Sequence, residues 1–226
     1  MSPIAVLFLR AITPGLGVLL GLLGFATLDA NILGWFLFLA GLLYAAGTVI
    51  LVYVRKVEFW EPQVHASIAQ AERGDRSFWL ITAGMVAVFY LSPLEFLYVR
   101  TEGFSSDPLE AAGAILVAAG IGLFAWSRTS LGGFYSGHLA VLESQTLVNN
   151  GPYRLIRHPA YAGYLLAALG LALGYASIVG AAALFLILLP AIVWRIHIEE
   201  GLLRAHFGAQ FEEYSSRTRR LVPWAW

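Results

Sequence analysis

The feature that most constrains this chain is unbroken apolarity. Six runs, at about 4–27, 32–54, 78–99, 110–127, 159–174 and 177–195, carry few or no charges. An apolar run of about 20 residues can cross a bilayer as a helix, which satisfies its own backbone N–H and C=O groups. The runs are continuous and do not alternate, so they predict helices and not barrel strands. Composition agrees: 59% of the 226 residues are hydrophobic and 12% are charged, about half the charged share of an ordinary soluble domain. The expected fold is all-α, a polytopic integral membrane protein of about six transmembrane helices in one domain, 1–226. Fourteen basic residues balance fourteen acidic ones, so no bulk field points to nucleic acid. The absence of cysteine excludes disulfides, thiolate metal sites and cysteine nucleophiles. Arg10 interrupts the first run and no small-residue cleavage site follows, so that run reads as a span and not as a signal peptide.

The connections set the topology. Asp29-Ala30-Asn31 is a tight polar turn between the first two runs, and only Tyr175 and Ala176 separate the last two. Both pairs are expected to be hairpins. Thr13-Pro14-Gly15 is expected to bend the first span and Pro190 to kink the sixth. The segment 55–76 is charged, with a short surface helix expected at 64–71; 100–108 is a polar loop, and 128–157 is rich in turn formers. Residues 195–218 alternate charge with apolar side chains at helical spacing, which predicts an amphipathic helix on the membrane face. With six spans, twelve Arg and Lys residues fall on the side of the termini and one, Arg100, on the other. Positive charge favours the cytoplasm, so both termini are expected there. Trp60, Trp79, Trp126, Trp194, Trp224 and Trp226 lie near the expected boundaries, as an aromatic belt would.

One stretch departs from the apolar background: Gly151-Pro152-Tyr153-Arg154-Leu155-Ile156-Arg157-His158-Pro159-Ala160-Tyr161-Ala162-Gly163-Tyr164. Polar groups at a membrane boundary are costly unless solvated, paired or used. The final hairpin is expected to return Arg195, Glu199 and Glu200 to the same cytoplasmic mouth as Arg154, Arg157 and His158. Glu199 follows Arg195 by one helical turn on the same face.

Gly151-Pro152-Tyr153-Arg154, then Arg157-His158-Pro159-Ala160-Tyr161-Ala162-Gly163, Glu199-Glu200, Phe207-Gly208, Tyr214 and Val222-Pro223 resemble the isoprenylcysteine carboxyl methyltransferase family. That group is related to the phospholipid N-methyltransferases and methanethiol S-methyltransferases. The resemblance covers about 128–223, which marks 128–226 as a methyltransferase core and 1–127 as spans without a recognised motif. Phe211 stands where many relatives carry tyrosine. The resemblance implies S-adenosylmethionine as cofactor and a lipophilic, prenylated or lipid substrate entering from the bilayer. His158 and Tyr161 can donate to the cofactor carboxylate, and Glu199 or Glu200 can hold its ammonium or ribose hydroxyls. Gly151 lies in the turn that offers backbone groups to adenine, with Val148 and Tyr153 as walls and Pro159 beside His158 among the cofactor-binding positions. Arg195 or Arg154 would grip an acidic substrate head. A carboxylate acceptor needs orientation more than a base; an amine or thiol would need Glu200 or His158 to take its proton. Arg195, Glu200 and Arg154 are therefore the catalytic candidates. No G-x-G-x-x-G turn follows a strand, so a Rossmann-type cofactor site is not expected.

Simpler roles exist for each residue. His158 can cap a helix, the arginines can mark topology, Glu199-Glu200 can be a solvated face, and the tyrosines can belong to the belt. Their joint spacing favours the site. His138, His197 and His206 lack ligand partners at metal spacing, so no metal is expected. Glu95 reads as an interfacial carboxylate without a nameable partner. A transporter or structural membrane protein is the non-enzyme alternative; no midspan charged pair or repeated half supports transport.

Overall fold

The computed structural model describes residues 3–50, 76–99, 108–132, 146–223 and 226, with the side chains of 3–14 and 48 left aside. The expected surface helix at 64–71, the loop at 100–107, and Trp60, His138 and Trp224 lie outside the described residues. Among them the fold is helical: α1 Pro3–Ala26, α2 Ile32–Val49, α3 Ser77–Val99, α4 Pro108–Leu131, α5 Pro159–Gly174, α6 Ile178–Phe207 and α7 Ala209–Arg217. Helices α3, α4 and α6 are long and apolar enough to cross a membrane, and Gly15–Ala26, Ile32–Gly47 and Pro159–Gly174 are shorter apolar helices.

Pro14 and Pro190 sit within continuous helix, and one expectation about the helices changes. α1 continues through Thr13-Pro14-Gly15. Pro190, which lacks an N–H, follows a π turn over Leu184–Leu188, where the Leu189 N–H reaches back to the Leu184 carbonyl; such a turn absorbs an interruption of the helical ladder. The separate amphipathic helix over 195–218 does not form. α6 runs on to Phe207, and the break falls at Gly208 (φ +52°), a backbone region that favours glycine. α7 then folds back, with Arg204 Nε 2.5 Å from Glu212 Oε1 and the Phe211 ring fully buried beneath the Arg204 guanidinium.

Glycine decides which helices touch. In the α4–α5 seam, a Cβ at Gly163 would stand 2.7 Å from the Gly120 carbonyl oxygen, and one at Gly113 2.6 Å from that of Gly170. In the α1–α2 seam, a Cβ at Gly24 would lie 2.2 Å from the Phe38 nitrogen. Small residues let apolar helices approach this closely without a hydrophobic drive between them. Leu171, Leu188, Ile192 and Ile196 fill the space between α5, α6 and α3 with no exposure.

The helix ends gather in two groups. At one end Asn31 caps α2 and donates Nδ2 to the Gly174 carbonyl (2.7 Å), Thr27 Oγ1 meets the Tyr175 hydroxyl (3.1 Å), and Glu110 accepts from the Ile32 N–H. Glu95 gains the partners that its sequence context withheld. Its carboxylate accepts from Ser177 Oγ (2.5 Å) and from the Val179 N–H (2.9 Å), capping α6. The opposite end joins the start of α3, the end of α4, the start of α5 and the far part of α6.

Candidate active site

The approach to α5 is built by backbone pairing. Gly151 adopts φ +55° and opens a 3-10 turn over Gly151–Arg154; a Cβ there would meet Ser130 Oγ at 2.4 Å. The chain then runs beside residues 219–220 in a short parallel bridge. The Arg157 N–H donates to the Arg219 carbonyl (2.7 Å), and the His158 N–H donates to that of Arg220 (3.0 Å). Pro159 occupies the first helical position, where a missing N–H costs nothing. His158 is thereby held just before the helix, with 4% of its surface exposed.

Two hydrogen-bonded layers meet around that histidine. In the buried layer, Glu200 Oε1 accepts from Arg157 Nε (2.8 Å), and Oε2 accepts from Arg220 Nε (3.1 Å) and Nη2 (3.0 Å). Arg157 also donates to the carbonyls of Ser215 (3.0 Å) and Thr218 (2.5 Å), tying α7 to the site. In the outer layer, Arg195 Nε donates to the Tyr161 hydroxyl (2.7 Å), which donates to Glu199 Oε2 (2.8 Å). Arg195 is buried, while the Glu199 side chain keeps 34% of its surface exposed. The His158 ring stacks on Tyr161 with centroids 5.7 Å apart. Its Nδ1 lies 3.9 Å from Glu199 Oε2 and its Nε2 lies 3.4 Å from Glu200 Oε1. At 3.4 Å Nε2 lies close enough to interact electrostatically with Glu200 but outside hydrogen-bond geometry, so this buried nitrogen keeps hydrogen-bonding capacity.

Burial raises the Glu200 carboxyl, but His158, Arg220 and Arg157 outweigh that and hold it well below the usual carboxylate range. This residue lies on α6 beyond the 177–195 run. It is ionised at neutral pH, and three charge-assisted contacts occupy its oxygens.

The structure thus brings His158, Pro159, Tyr161, Arg195, Glu199 and Glu200 together. Tyr153 stands beneath them, 8% exposed, with its hydroxyl 3.0 Å from Ser127 Oγ and its carbonyl accepting from the Tyr214 hydroxyl at 2.8 Å. Val148, in the irregular segment ahead of the 3-10 turn, and Gly151, at its start, are half-buried. Arg154 is exposed, and none of the hydrogen bonds of the cluster among the described residues comes from it. Arg220 is the cluster member that sequence reasoning counted only as a topology marker. Its place before Leu221-Val222-Pro223 was the available signal, because that motif has to lie somewhere in the fold.

Residues 109–210 match the model of the phospholipid methyltransferase family. Over these residues, just under half of its length, the chain is similar to that family. It is 35% identical over 81 residues to a probable protein-S-isoprenylcysteine O-methyltransferase of Oryza sativa, covering 36% of this chain and 42% of that one. Protein-S-isoprenylcysteine O-methyltransferase A of Arabidopsis thaliana is 36% identical over 81 residues, 36% of this chain and 41% of that one. The cobalt-zinc-cadmium resistance protein CzcN of Cupriavidus metallidurans is 33% identical over 142 residues, 62% and 61% of the two chains. The chain spans about two fifths of the length of the plant relatives. A solved structure of a eukaryotic intramembrane Ras methyltransferase, isoprenylcysteine carboxyl methyltransferase, superposes with a TM-score of 0.56 at 19% identity, over 95% of this chain and 75% of that one. At that identity the likeness is one of fold. The family match begins at the head of α4, the helix whose glycine seam carries α5.

Proposed function

We propose that this protein is an S-adenosylmethionine-dependent membrane methyltransferase acting on a lipophilic acceptor, with carboxyl methylation of an isoprenylcysteine-like group as its reaction. One observation carries the reading: α5 and α6 bring His158, Tyr161, Arg195, Glu199 and Glu200 into one cluster, and the family match covers all five. We read the chain as six spans with both termini and the site on the cytoplasmic side, and 1–127 as an extension of the methyltransferase core at 128–226.

The residues fit a zwitterionic cofactor end. His158 Nε2 is buried with unused hydrogen-bonding capacity, and the half-exposed Glu199 carboxylate lies beside the same ring. Glu199 would hold the ammonium and His158 the carboxylate, with Val148, Gly151, Tyr153 and Pro159 on the adenine side. Bound S-adenosylmethionine supplies an electrophilic sulfonium methyl. The chain's own part is orientation and exclusion of water. Arg195, buried and aligned through Tyr161, is the cation for an acidic acceptor head; Arg154, exposed at the edge, would meet it at entry. Glu200, ionised and engaged by two guanidiniums, has little basicity to spare, so it positions the site and does not remove a proton. A carboxylate acceptor, already ionised, suits a site without a free base. Amine N-methylation of a phospholipid headgroup is the second reading, favoured by the family model that matches; small-thiol S-methylation follows it.

Calorimetric titration of the purified protein with S-adenosylmethionine, beside Glu199→Ala and His158→Ala, tests the site. Binding by wild type that both variants lose supports it; no binding by wild type, or undiminished binding by both variants, removes it. A screen with radiolabelled methyl donor over prenylated thioacids, phospholipids and thiols tests the acceptor. Product formed only on a headgroup amine would replace the carboxylate reading with the second one.

A further inference from the structure

Residues 218–223 form a strap that reaches the site by two routes. Its backbone accepts from the Arg157 and His158 N–H groups, and one of its side chains, Arg220, supplies both hydrogen bonds to Glu200 Oε2. The Arg220 guanidinium also lies over the Trp226 ring, 5.2 Å from its centroid. Arg157 engages the other carboxylate oxygen and is itself tied to Ser215 and Thr218.

The two arginines have different jobs. The terminal carboxylate torsion of glutamate is broad and soft. A single donor on Oε1 leaves the group free to turn about its own axis. Donors on both oxygens fix its plane, and with it the position of Oε1, 3.4 Å from His158 Nε2. The same strap sets the His158 main chain through the Arg220 carbonyl.

We propose that Arg220 is a positioning residue: it fixes the Glu200 carboxylate plane, and so the stance of the His158 ring beside Glu199. The inference rests on the reading of His158 as a cofactor-binding residue. Arg220 touches neither cofactor nor acceptor. Its loss acts on cofactor affinity through the ring and leaves acceptor recognition alone.

The test uses the full chain in detergent, as wild type, Arg220→Gln, Arg220→Lys and Arg217→Gln. Arg217→Gln is a matched control, since Arg217 pairs with Glu213 on the exposed side of α7. Two readouts are taken: S-adenosylmethionine affinity by calorimetry, and the imidazole 15N signals of His158, assigned with His158→Gln. Arg220→Gln is expected to weaken affinity about tenfold, as loss of a charge-assisted hydrogen bond does. It should also move the His158 ring signals and leave the acceptor KM within twofold. Arg220→Lys should recover most of both effects, and Arg217→Gln should show neither. Unmoved ring signals in Arg220→Gln overturn the proposal, and so does a moved ring with unchanged affinity. If wild type binds no cofactor, the functional reading fails, and the ring signals alone decide the positioning. If Arg220→Gln does not fold, Arg220→Lys carries the measurement with a smaller displacement, because a point charge lacks the planar fork.

Discussion

The two ends of this bundle both bury carboxylates, and they use them in opposite ways. At one end Glu95 and Glu110 point at the N-termini of α6 and α2, where unsatisfied backbone N–H groups and the helix dipole receive them. Those partners are backbone N–H groups and, for Glu95, the Ser177 hydroxyl at the start of the same helix, so the arrangement is a fixed lock between neighbouring helices. At the other end Glu200 is held by side chains, and Glu199 keeps a third of its surface open next to a histidine with a spare nitrogen. Side-chain partners can be completed or displaced by a ligand. A carboxylate's role in this fold is therefore read from what it is paired with, since the depth of Glu110 and Glu200 is nearly the same.

Substitutions at each end should separate these uses. The largest effect belongs to Glu200→Ala, which strands two guanidiniums: about 3 kcal/mol of stability, the low end for breaking a buried pair because Arg220 keeps some solvent. Cofactor binding should fall below detection, and thermal melting in detergent beside calorimetry reads both. The wild-type contribution is present in full above about pH 4.3, the unfolded value, and is lost only as pH falls toward the lowered native one.

Glu199→Gln comes next. It should weaken S-adenosylmethionine about thirtyfold with a melting temperature close to wild type, since the side chain is half-exposed. Full cofactor affinity in that variant would erase the contrast between the ends. Glu110→Gln is the converse: a loss of about 1–2 kcal/mol in stability with affinity within twofold of wild type. A change in affinity would mean that the lock is felt at the site. Arg154→Ala should be the mildest, within about 0.5 kcal/mol of wild type, as for an exposed side chain, with cofactor affinity intact. A raised acceptor KM alone would sharpen its assignment to the entry edge.

Much of this was legible in the chain itself. The run at 159–174 coincides with α5 because Pro159 suits the first helical position and disfavours helix at the residue before it, and the two-residue turn at Tyr175-Ala176 leaves no room for anything but a hairpin. Gly163 in the Arg157–Gly163 motif is explained by the neighbouring α4 backbone, a contact no local reading contains. Residues 195–207 look amphipathic and separable from the span. Helical hydrogen bonding does not stop where apolarity does, and only Gly208 ends it.

The sequence alone determined the helical, membrane-embedded character, because unbroken apolar runs leave the backbone no other way to satisfy itself. It also determined the two halves of the candidate site, through residue types that apolar surroundings tolerate only when paired. Tertiary structure decided the pairing. The return of 219–220 alongside 157–158 is a contact across about sixty residues, carried by backbone groups that every sequence possesses. Side-chain patterns do not encode such a contact, so the partner of Arg220 emerged only with the strap in place. The difference between Glu199 and Glu200, adjacent in the chain, arose the same way: one helical step turns the first toward Tyr161 and the second into the two arginines.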